Sequence, residues 1–371
     1  MSARLLYFVT EDWYFCSHRL PLAIAARDAG YEVTVVTRVR EHGDAIRAAG
    51  LQLVPFEIAR SGMNPLRELL TLWRLVELYR RIKPDVLHHV AMKPVLYGSL
   101  AAILTGVRGV INALAGMGWL FTSAGGGARL IKRGVRVALG RLLGRGIVLL
   151  QNPDDAELLV RLGVPRRNVR RIAGSGVDLV RFHPTPEPEG TPVVVLPARL
   201  LWDKGVGEFV EAARLLRSRG VIARFVLTGD PDPANPASIQ TRQVEGWVRD
   251  EMVEHMGWVN DMPQVFAGAH VVCLPSYREG LPKALIEAAA AGRPIVTTDV
   301  PGCREVVDDG VHGFCVPPRD AKALADALAR LIADPALRAR MGAAARKRAE
   351  IEFGLDAVVA QTLALYEEVV S

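Results

Sequence analysis

The sequence predicts an α/β protein of two domains, each a doubly wound parallel sheet flanked by helices. Three observations carry this. Short apolar runs alternate with amphipathic stretches along most of the chain, the pattern that parallel sheets produce. The alternation breaks at a Gly- and Pro-rich stretch, "GSGVDLVRFHPTPEPEGTP" (174–192), and then restarts. The length, 371 residues with 50% hydrophobic, suits two cores at roughly 100–200 residues each. The expected division is a Rossmann-like domain over 1–175, a hinge over 176–192, a second Rossmann-like domain over 193–353, and a last helix over 354–371 packing back toward the first domain.

In chain order, "RLLYFVT" reads as a strand and "RLPLAIAARDAG" as a helix ending at Gly30, a favourable C-cap. "YEVTVVTR" is the next strand, "REHGDAIRAAG" a helix and "LQLVPFEI" a third strand. "PLRELLTLWRLVELYRRIKP" carries apolar residues at helical spacing and stops before Pro84. "DVLHHV", "GVINAL" and "RGIVLLQN" complete the first set of strands. In the second half "VVVLPAR", "ARFVLTGD", "EHMGWVN", "AHVVCLPS" and "PIVTTD" are strands, and the chain from Asp320 onward is almost wholly helical. In open sheets of this kind ligands sit at the carboxyl ends of the strands.

Several classes are excluded or disfavoured. No apolar run approaches the roughly 18–20 residues of a membrane span. The N-terminus "MSARLLYFVTEDW" meets acids at once and reads as a strand rather than a signal peptide. The four cysteines, Cys16, Cys273, Cys303 and Cys315, form no C-x-x-C pair. They are expected as free thiols of a reducing compartment, which makes a zinc site and a disulfide framework both unlikely expectations. Charge is unevenly spread: Met1 to Asp178 holds 25 Lys/Arg against 14 Asp/Glu, Leu179 to Ser371 holds 21 against 26. The basic first half points to an anionic partner: nucleic acid, membrane surface or phosphorylated substrate.

The second half holds the more specific pattern. "REGLP" follows a strand and opens a helix, so the backbone N–H groups of Gly280, Leu281 and Lys283 are placed to face an anion. Pro282 suits the helix start. Glu287 lies within the Ala-rich run that follows. A buried carboxylate is costly without partners, which leaves sugar hydroxyls, an Arg, or solvent exposure as its explanations. "PARLLWDKG" places Arg199 and Lys204 just past another strand, where a fork and a point charge could together neutralise a diphosphate. "GDPDP" contains an Asp-x-Asp but reads as a Pro-rich loop rather than a metal motif.

Arg199, Lys204 and the pair Glu279-x7-Glu287 resemble the signature of the family 4 retaining glycosyltransferases of GT-B fold. "PSYREGLPKALIEAAAAGRPIVTTDVPGCREVVDDGVHGFCVPPRD" is similar to that family almost residue by residue. "YFCSHRLPLA", "HHVAMKPVLYG" and "NALAGMGWLF" further resemble the subgroup that builds lipid-linked O-antigen, capsule or N-glycan precursors in bacteria. The resemblance implies two Rossmann-like domains facing each other across a cleft, an acceptor-binding first and a nucleotide-sugar-binding second. It implies sugar transfer from a nucleotide donor, most simply a UDP-sugar, with retention. Arg199 and Lys204 would stabilise the departing diphosphate, Glu279 would meet the donor sugar and Glu287 the ribose. Neither a metal nor another cofactor is then expected. "HMGWVND" is similar to the segment lining the nucleotide base, with Trp258 and Val259 close by; Trp258 could equally be a packing residue.

For the acceptor, Ser17, His18 and Arg19 are expected to open the first helix. His88, His89 and Lys93 are expected at one strand end, and Asn112, Gly116 and Gly118 after another. Many family members carry a Gly-rich loop after the first strand, whereas "TEDWYFCSHRLP" has none. "RLIKRGVRVALGRLLGRG" contains Arg129, Lys132, Arg133, Arg136, Arg141 and Arg145 with no acid. It reads as a basic amphipathic helix for an anionic membrane surface. The resulting expectation is a cytoplasmic enzyme, peripheral on the inner membrane face, that extends a polyprenyl-diphosphate-linked saccharide in surface polysaccharide or glycan assembly. The alternatives are a GT-B sugar-nucleotide epimerase, a transferase with a soluble acceptor, and a basic nucleic-acid binder. The last lacks any aromatic-studded basic face, so nucleic acid is not expected as a partner.

Overall fold

The computed structural model describes residues 2–58, 65–114, 140–233 and 235–370. The chain divides into two compact units, one of residues 1–175 with 358–371, the other of residues 176–357.

Unit 1 begins β1 (Arg4–Glu11), α1 (Asp12–His18), α2 (Leu20–Asp28), β2 (Glu32–Arg38), α3 (Gly43–Ala48) and β3 (Gln52–Pro55). It continues α4 (Pro65–Ile82), β4 (Val86–Val90), α5 (Met92–Thr105), β5 (Gly109–Ala113), β6 (Ile147–Leu150), α6 (Pro153–Arg161) and β7 (Val169–Arg171). The seven strands lie in the order β3-β2-β1-β4-β5-β6-β7, all parallel. Alternation along β1 divides its side chains between two layers. Leu5, Tyr7 and Val9 pack with Phe15, Leu22 and Ile46 from α1–α3. Leu6 and Phe8 pack with Leu75, Tyr79 and Ala102 from α4 and α5. Because both faces are covered, every residue of β4 and β5 is buried.

Unit 2 contains β8 (Val193–Pro197), α7 (Val206–Ser218), β9 (Arg224–Thr228), α8 (Thr241–Arg249), β10 (Glu254–His255), α9 (Met262–Ala267) and β11 (Val271–Leu274). It continues α10 (Lys283–Ala290), β12 (Ile295–Thr298), β13 (Gly313–Val316), α11 (Ala321–Ala333) and α12 (Pro335–Arg348). The strand order is β10-β9-β8-β11-β12-β13, again parallel. The last helix, α13 (Leu355–Val370), buries Leu365 and Tyr366 in the core of unit 1.

Two parallel sheets wound on both faces are the predicted fold. The sequence reading missed β7 and β13, which are three and four residues long, and it extended β10, which is two residues long. It also missed α1. Ser17 and His18 therefore close a helix rather than open one, and only Arg19 stands at the start of α2. The cause is local: "DWYFCSH" is rich in aromatic residues that favour strands, yet Phe15 and Asp12 bury fully on tertiary contacts. All four cysteines are free. Among the described residues no helix is long and apolar enough to cross a membrane.

Candidate active site

In each sheet the strand order reverses at one place, between β1 and β4 in unit 1 and between β8 and β11 in unit 2. Such switch points open a crevice at the carboxyl ends of the strands. Arg199, Lys204 and Glu279 lie at the second of these places and Lys93 at the first.

In unit 2 the loop after β8 carries Arg199 and then a single 3-10 turn, Trp202–Lys204. Gly205 follows with φ +71°, and a Cβ there would stand 2.1 Å from the Pro275 carbonyl oxygen. Only glycine lets this loop lie so close against the end of β11. The result is that Lys204 reaches across the switch point. Its Nζ is 2.5 Å from Oε1 of Glu279, and Ser276 Oγ donates to the same oxygen at 2.7 Å. Ser276 is itself fixed, being fully buried, with its carbonyl accepting from Thr298 Oγ1. Beside it the Tyr277 N–H donates to the Asp203 carbonyl at 2.9 Å, and the Tyr277 hydroxyl donates to Glu208 at 2.7 Å. Burial and Glu208 push that phenol up to about 12, so it acts as a donor at neutral pH. From the far side Gly302, at φ +84°, lies over the turn. A Cβ there would meet the Gly280 and Glu279 carbonyl oxygens at 2.6 and 2.7 Å.

Arg199 is paired with Asp232 at 2.6 Å, so the second acid of "GDPDP" serves a predicted site residue as its counter-ion. Among the described residues no group of three or more His, Cys, Asp or Glu side chains is placed to hold a metal.

Glu287 is 8% exposed, on the inner face of α10. Burial raises its pKa, partly offset by Lys283 and by the charge of Arg181. Its ion-pair partner is Lys283 Nζ at 3.3 Å, one turn earlier, not an arginine. Here the helix start needs correcting. Pro282 is the N-cap and Lys283 the first helical residue, so Gly280 and Leu281 precede the helix, and Leu281 is buried. Trp258 presents its ring to solvent at 63% exposure, with Nε1 donating to Asn260 at 3.0 Å. Val259 instead packs against the cluster of Val193, Val195 and Val226.

In unit 1 the switch point holds a cavity of about 260 Å³, lined by Thr10 and Glu11 at the end of β1, by Trp13 and Tyr14 just after it, and by Met92 and Lys93 after β4. Lys93 reaches Glu68 of α4 at 3.3 Å. Ala91, also on the lining, has φ +77° and ψ 163°, a conformation that only glycine adopts without strain. Strain of this kind is often held at functional sites. His18 stacks on Tyr14 with ring centroids 4.2 Å apart, and Ser17 is exposed beside it.

Two expected acceptor ligands sit one residue inside the carboxyl ends of their strands and are turned into the protein. His89 and Asn112 are fully buried within β4 and β5. His89 Nδ1 lies 2.8 Å from Asn112 Oδ1, and Tyr79 OH lies 3.0 Å from Nε2. An amide oxygen only accepts, so Nδ1 carries the proton and Nε2 accepts from Tyr79. Ser99 donates to the same Asn112 oxygen at 3.1 Å. This network ties β4, β5, α4 and α5 together, while the buried Asn112 Nδ2 has no hydrogen-bond partner among the described residues. His88 is likewise buried against Tyr366, at 2.7 Å. Gly116, Gly118, Arg129, Lys132, Arg133 and Arg136 lie outside the described residues; Arg141 and Arg145 are exposed.

The sequence reading did not single out Ser276, Asp232 or Tyr277. The spacing Ser276-x-x-Glu279 was a usable signal, because a hydroxyl three residues before a carboxylate can reach back to it around a turn.

Residues 191–334 match the family described as glycosyl transferases group 1, and residues 4–141 the family described as glycosyl transferase 4-like. The chain belongs to the family 4 glycosyltransferases. This family 4 glycosyltransferase is 27% identical over 95% of both chains to the N,N'-diacetylbacillosaminyl-diphospho-undecaprenol alpha-1,3-N-acetylgalactosaminyltransferase of Campylobacter jejuni. It is 25% identical to the Escherichia coli UDP-Gal:alpha-D-GlcNAc-diphosphoundecaprenol alpha-1,3-galactosyltransferase, over 73% of this chain and 72% of that one. A crystal structure of a glycosyltransferase from Rickettsia africae superposes with TM-score 0.81 at 16% identity, covering 100% of this chain and 99% of the other, which establishes the fold as GT-B.

Proposed function

We propose that this glycosyltransferase moves a sugar, with retention and without a metal, from a UDP-sugar to a saccharide carried on polyprenyl diphosphate. It would work from the cytoplasmic side, peripherally on the inner membrane surface. The acceptor class follows the relatives, two of which are named for diphosphoundecaprenol-linked acceptors; one of those names a UDP-sugar donor.

The observation that carries the reading is the Lys204–Glu279 pair at the unit 2 switch point. As the glycosidic bond stretches, negative charge builds on the leaving diphosphate. Lys204 and Arg199 then exchange their carboxylate partners for phosphate oxygens. Cations already partly shielded from water and held by fixed partners reorganise little, which is how fixed charges lower a barrier. Glu279, still held by Ser276, turns its acceptor oxygens to sugar hydroxyls. Glu287, buried and short of partners beyond Lys283 and the field of Arg181, accepts from the ribose hydroxyls. With no carboxylate assigned as a covalent nucleophile, the leaving phosphate helps take the acceptor proton on the same face.

The test is incubation of the purified chain with a panel of nucleotide sugars and polyprenyl-diphosphate saccharides, followed by mass spectrometry of the lipid-linked products and determination of anomeric configuration. A product with inverted configuration, or transfer only to soluble sugars, would overturn this reading.

A further inference from the structure

Helix α4 is apolar on two faces, and the fold needs only one. Leu75, Val76, Leu78 and Tyr79 face the sheet and pack on Leu6, Phe8 and Leu87. Leu66, Leu69, Leu70 and Trp73 recur at i, i+3, i+4 and i+7 and so share a different face. All four are exposed, Leu66 by 77% and Trp73 by 56%. The neighbouring helix in the same layer repeats the feature: Leu100, Ile103 and Leu104 of α5, at i, i+3 and i+4, are exposed as well. Single exposed leucines need no explanation, but a periodic stripe of seven across two packed helices does.

Charge selects the occupant. Arg67, Arg74 and Arg81 follow at seven-residue steps and form an exposed ridge along one flank of the α4 stripe, with Arg80 near its C-terminal end. Of the two acids on α4, Glu68 is committed to Lys93 and Glu77 stands alone beyond the leucines. A leucine and tryptophan stripe bordered by arginines matches the boundary between acyl chains and anionic headgroups, where aromatic rings settle and long cationic side chains reach up to phosphate. A second copy of the chain would bring this arginine ridge against itself by symmetry.

Position gives the surface a purpose. The stripe occupies the first two turns of α4, and Glu68 within those turns holds Lys93, which lines the cavity at the unit 1 switch point. We propose that the outer face of α4, with the exposed stripe of α5, is the membrane-docking surface of this protein, and that it takes an anionic lipid bilayer. The inference extends the lipid-linked acceptor reading: a diphosphate held at the headgroup level by its polyprenyl tail is then presented beside Lys93. It uses residues quite separate from the basic segment around Arg129.

The test is co-sedimentation of the full chain with unilamellar vesicles of phosphatidylcholine containing about one-third phosphatidylglycerol, near physiological salt. Binding of the wild type is expected. The L69E/W73E double variant should lose at least about tenfold in partition, since the apolar contact is replaced by charges repelled by the surface. R67Q/R74Q should lose about tenfold and show a weaker salt dependence, since Arg80 and Arg81 remain. L66S/W73S guards against misfolding, and circular dichroism should match wild type for all three, as exposed side chains alone are changed. The proposal is overturned if the wild type ignores these vesicles, or if the folded variants bind as the wild type does. It is also overturned if the substitutions abolish only self-association in light scattering, which would make a second copy the occupant. Vesicle binding needs no sugar, so it separates from the proposed function: sugar transfer in detergent without docking sinks this inference alone, and docking without transfer sinks only the acceptor reading.

Discussion

Glu279 Oε1 stands 2.5 Å from Lys204 Nζ although 75 residues separate them, because the β8 and β11 loops meet at the point where the sheet reverses its order. If that cation is aimed at the leaving diphosphate, its removal should affect turnover far more than folding. Lys204→Met and Glu279→Gln are expected to lower kcat by about 10²–10³, the cost typical of losing one fixed charge-stabilising group. Ser276→Ala, which leaves Glu279 its lysine but not its hydroxyl, should cost about tenfold. Steady-state kinetics with parallel thermal denaturation checks this. Near-normal turnover in either of the first two, with the fold intact, removes them from the chemistry.

Glu287 is expected to trade stability for function. Burial raises its pKa above the unfolded value. A raised carboxyl contributes stability below the ordinary carboxylate range and loses it as pH rises through the raised value. At neutral pH the folded state therefore bears the cost of a desolvated anion. Glu287→Gln should stabilise the protein at pH 7–8 by about 0.5–2 kcal/mol, and the advantage should shrink toward the usual glutamate pKa, about 4.3. Donor affinity should fall at the same time. Urea unfolding across pH, with calorimetric titration of UDP, measures both. A variant that is less stable at pH 8 contradicts the assignment.

These two acids mark what the sequence could reveal. Glu287 was legible because a lone carboxylate in a run of alanines has to be explained, and the run does bury. The Lys204–Glu279 meeting was legible as a family resemblance, not as geometry. Its local cause, the contact of Gly205 with the Pro275 carbonyl, joins residues 70 apart that no periodicity connects. The burial of His89 and Asn112, one residue inside the ends of β4 and β5, was not legible for a different reason. In a parallel strand covered on both faces every residue is buried, so alternation carries no information on depth, and polar residues inside the strand read like polar residues at its end. The shifted helix starts, at α1 and α10, come from tertiary burial and proline geometry overriding local propensity.

Ala91 offers a test of strain at the unit 1 switch point. With φ +77° and ψ 163° it holds a backbone conformation costing of order 1–3 kcal/mol for a residue with a Cβ. Glycine removes the clash but adds about 0.5–1 kcal/mol of unfolded-state entropy. Ala91→Gly should therefore be neutral to stabilising by about 1 kcal/mol, whereas Ala91→Val should destabilise by more than that. If the strain holds Met92 and Lys93 against the cavity, the glycine variant should also show a raised KM for acceptor with kcat little changed. Destabilisation by glycine comparable to that by valine would mean the alanine methyl is a needed contact rather than a strained one.

The histidine network makes the fold acid-sensitive well above the carboxylate range. Burial holds His89 down to about 4, with the Asn112 hydrogen bond working weakly the other way, against an unfolded value near 6.5. A group whose folded pKa is depressed contributes stability that is present above the unfolded pKa and is lost as pH falls toward the folded one. Between pH 7 and pH 5 the unfolded chain takes up most of a proton here that the native chain refuses, which amounts to about 2 kcal/mol. His88, also pushed well down by burial and by Arg19, adds in the same direction. Urea midpoints of the wild type should therefore fall steeply over this window. His89→Gln should start less stable at pH 7, since Tyr79 and Asn112 lose their shared partner, yet lose about 2 kcal/mol less on going to pH 5. A variant whose pH slope parallels the wild type would show that His89 is charged inside the sheet, and the tautomer assigned from Asn112 would be wrong.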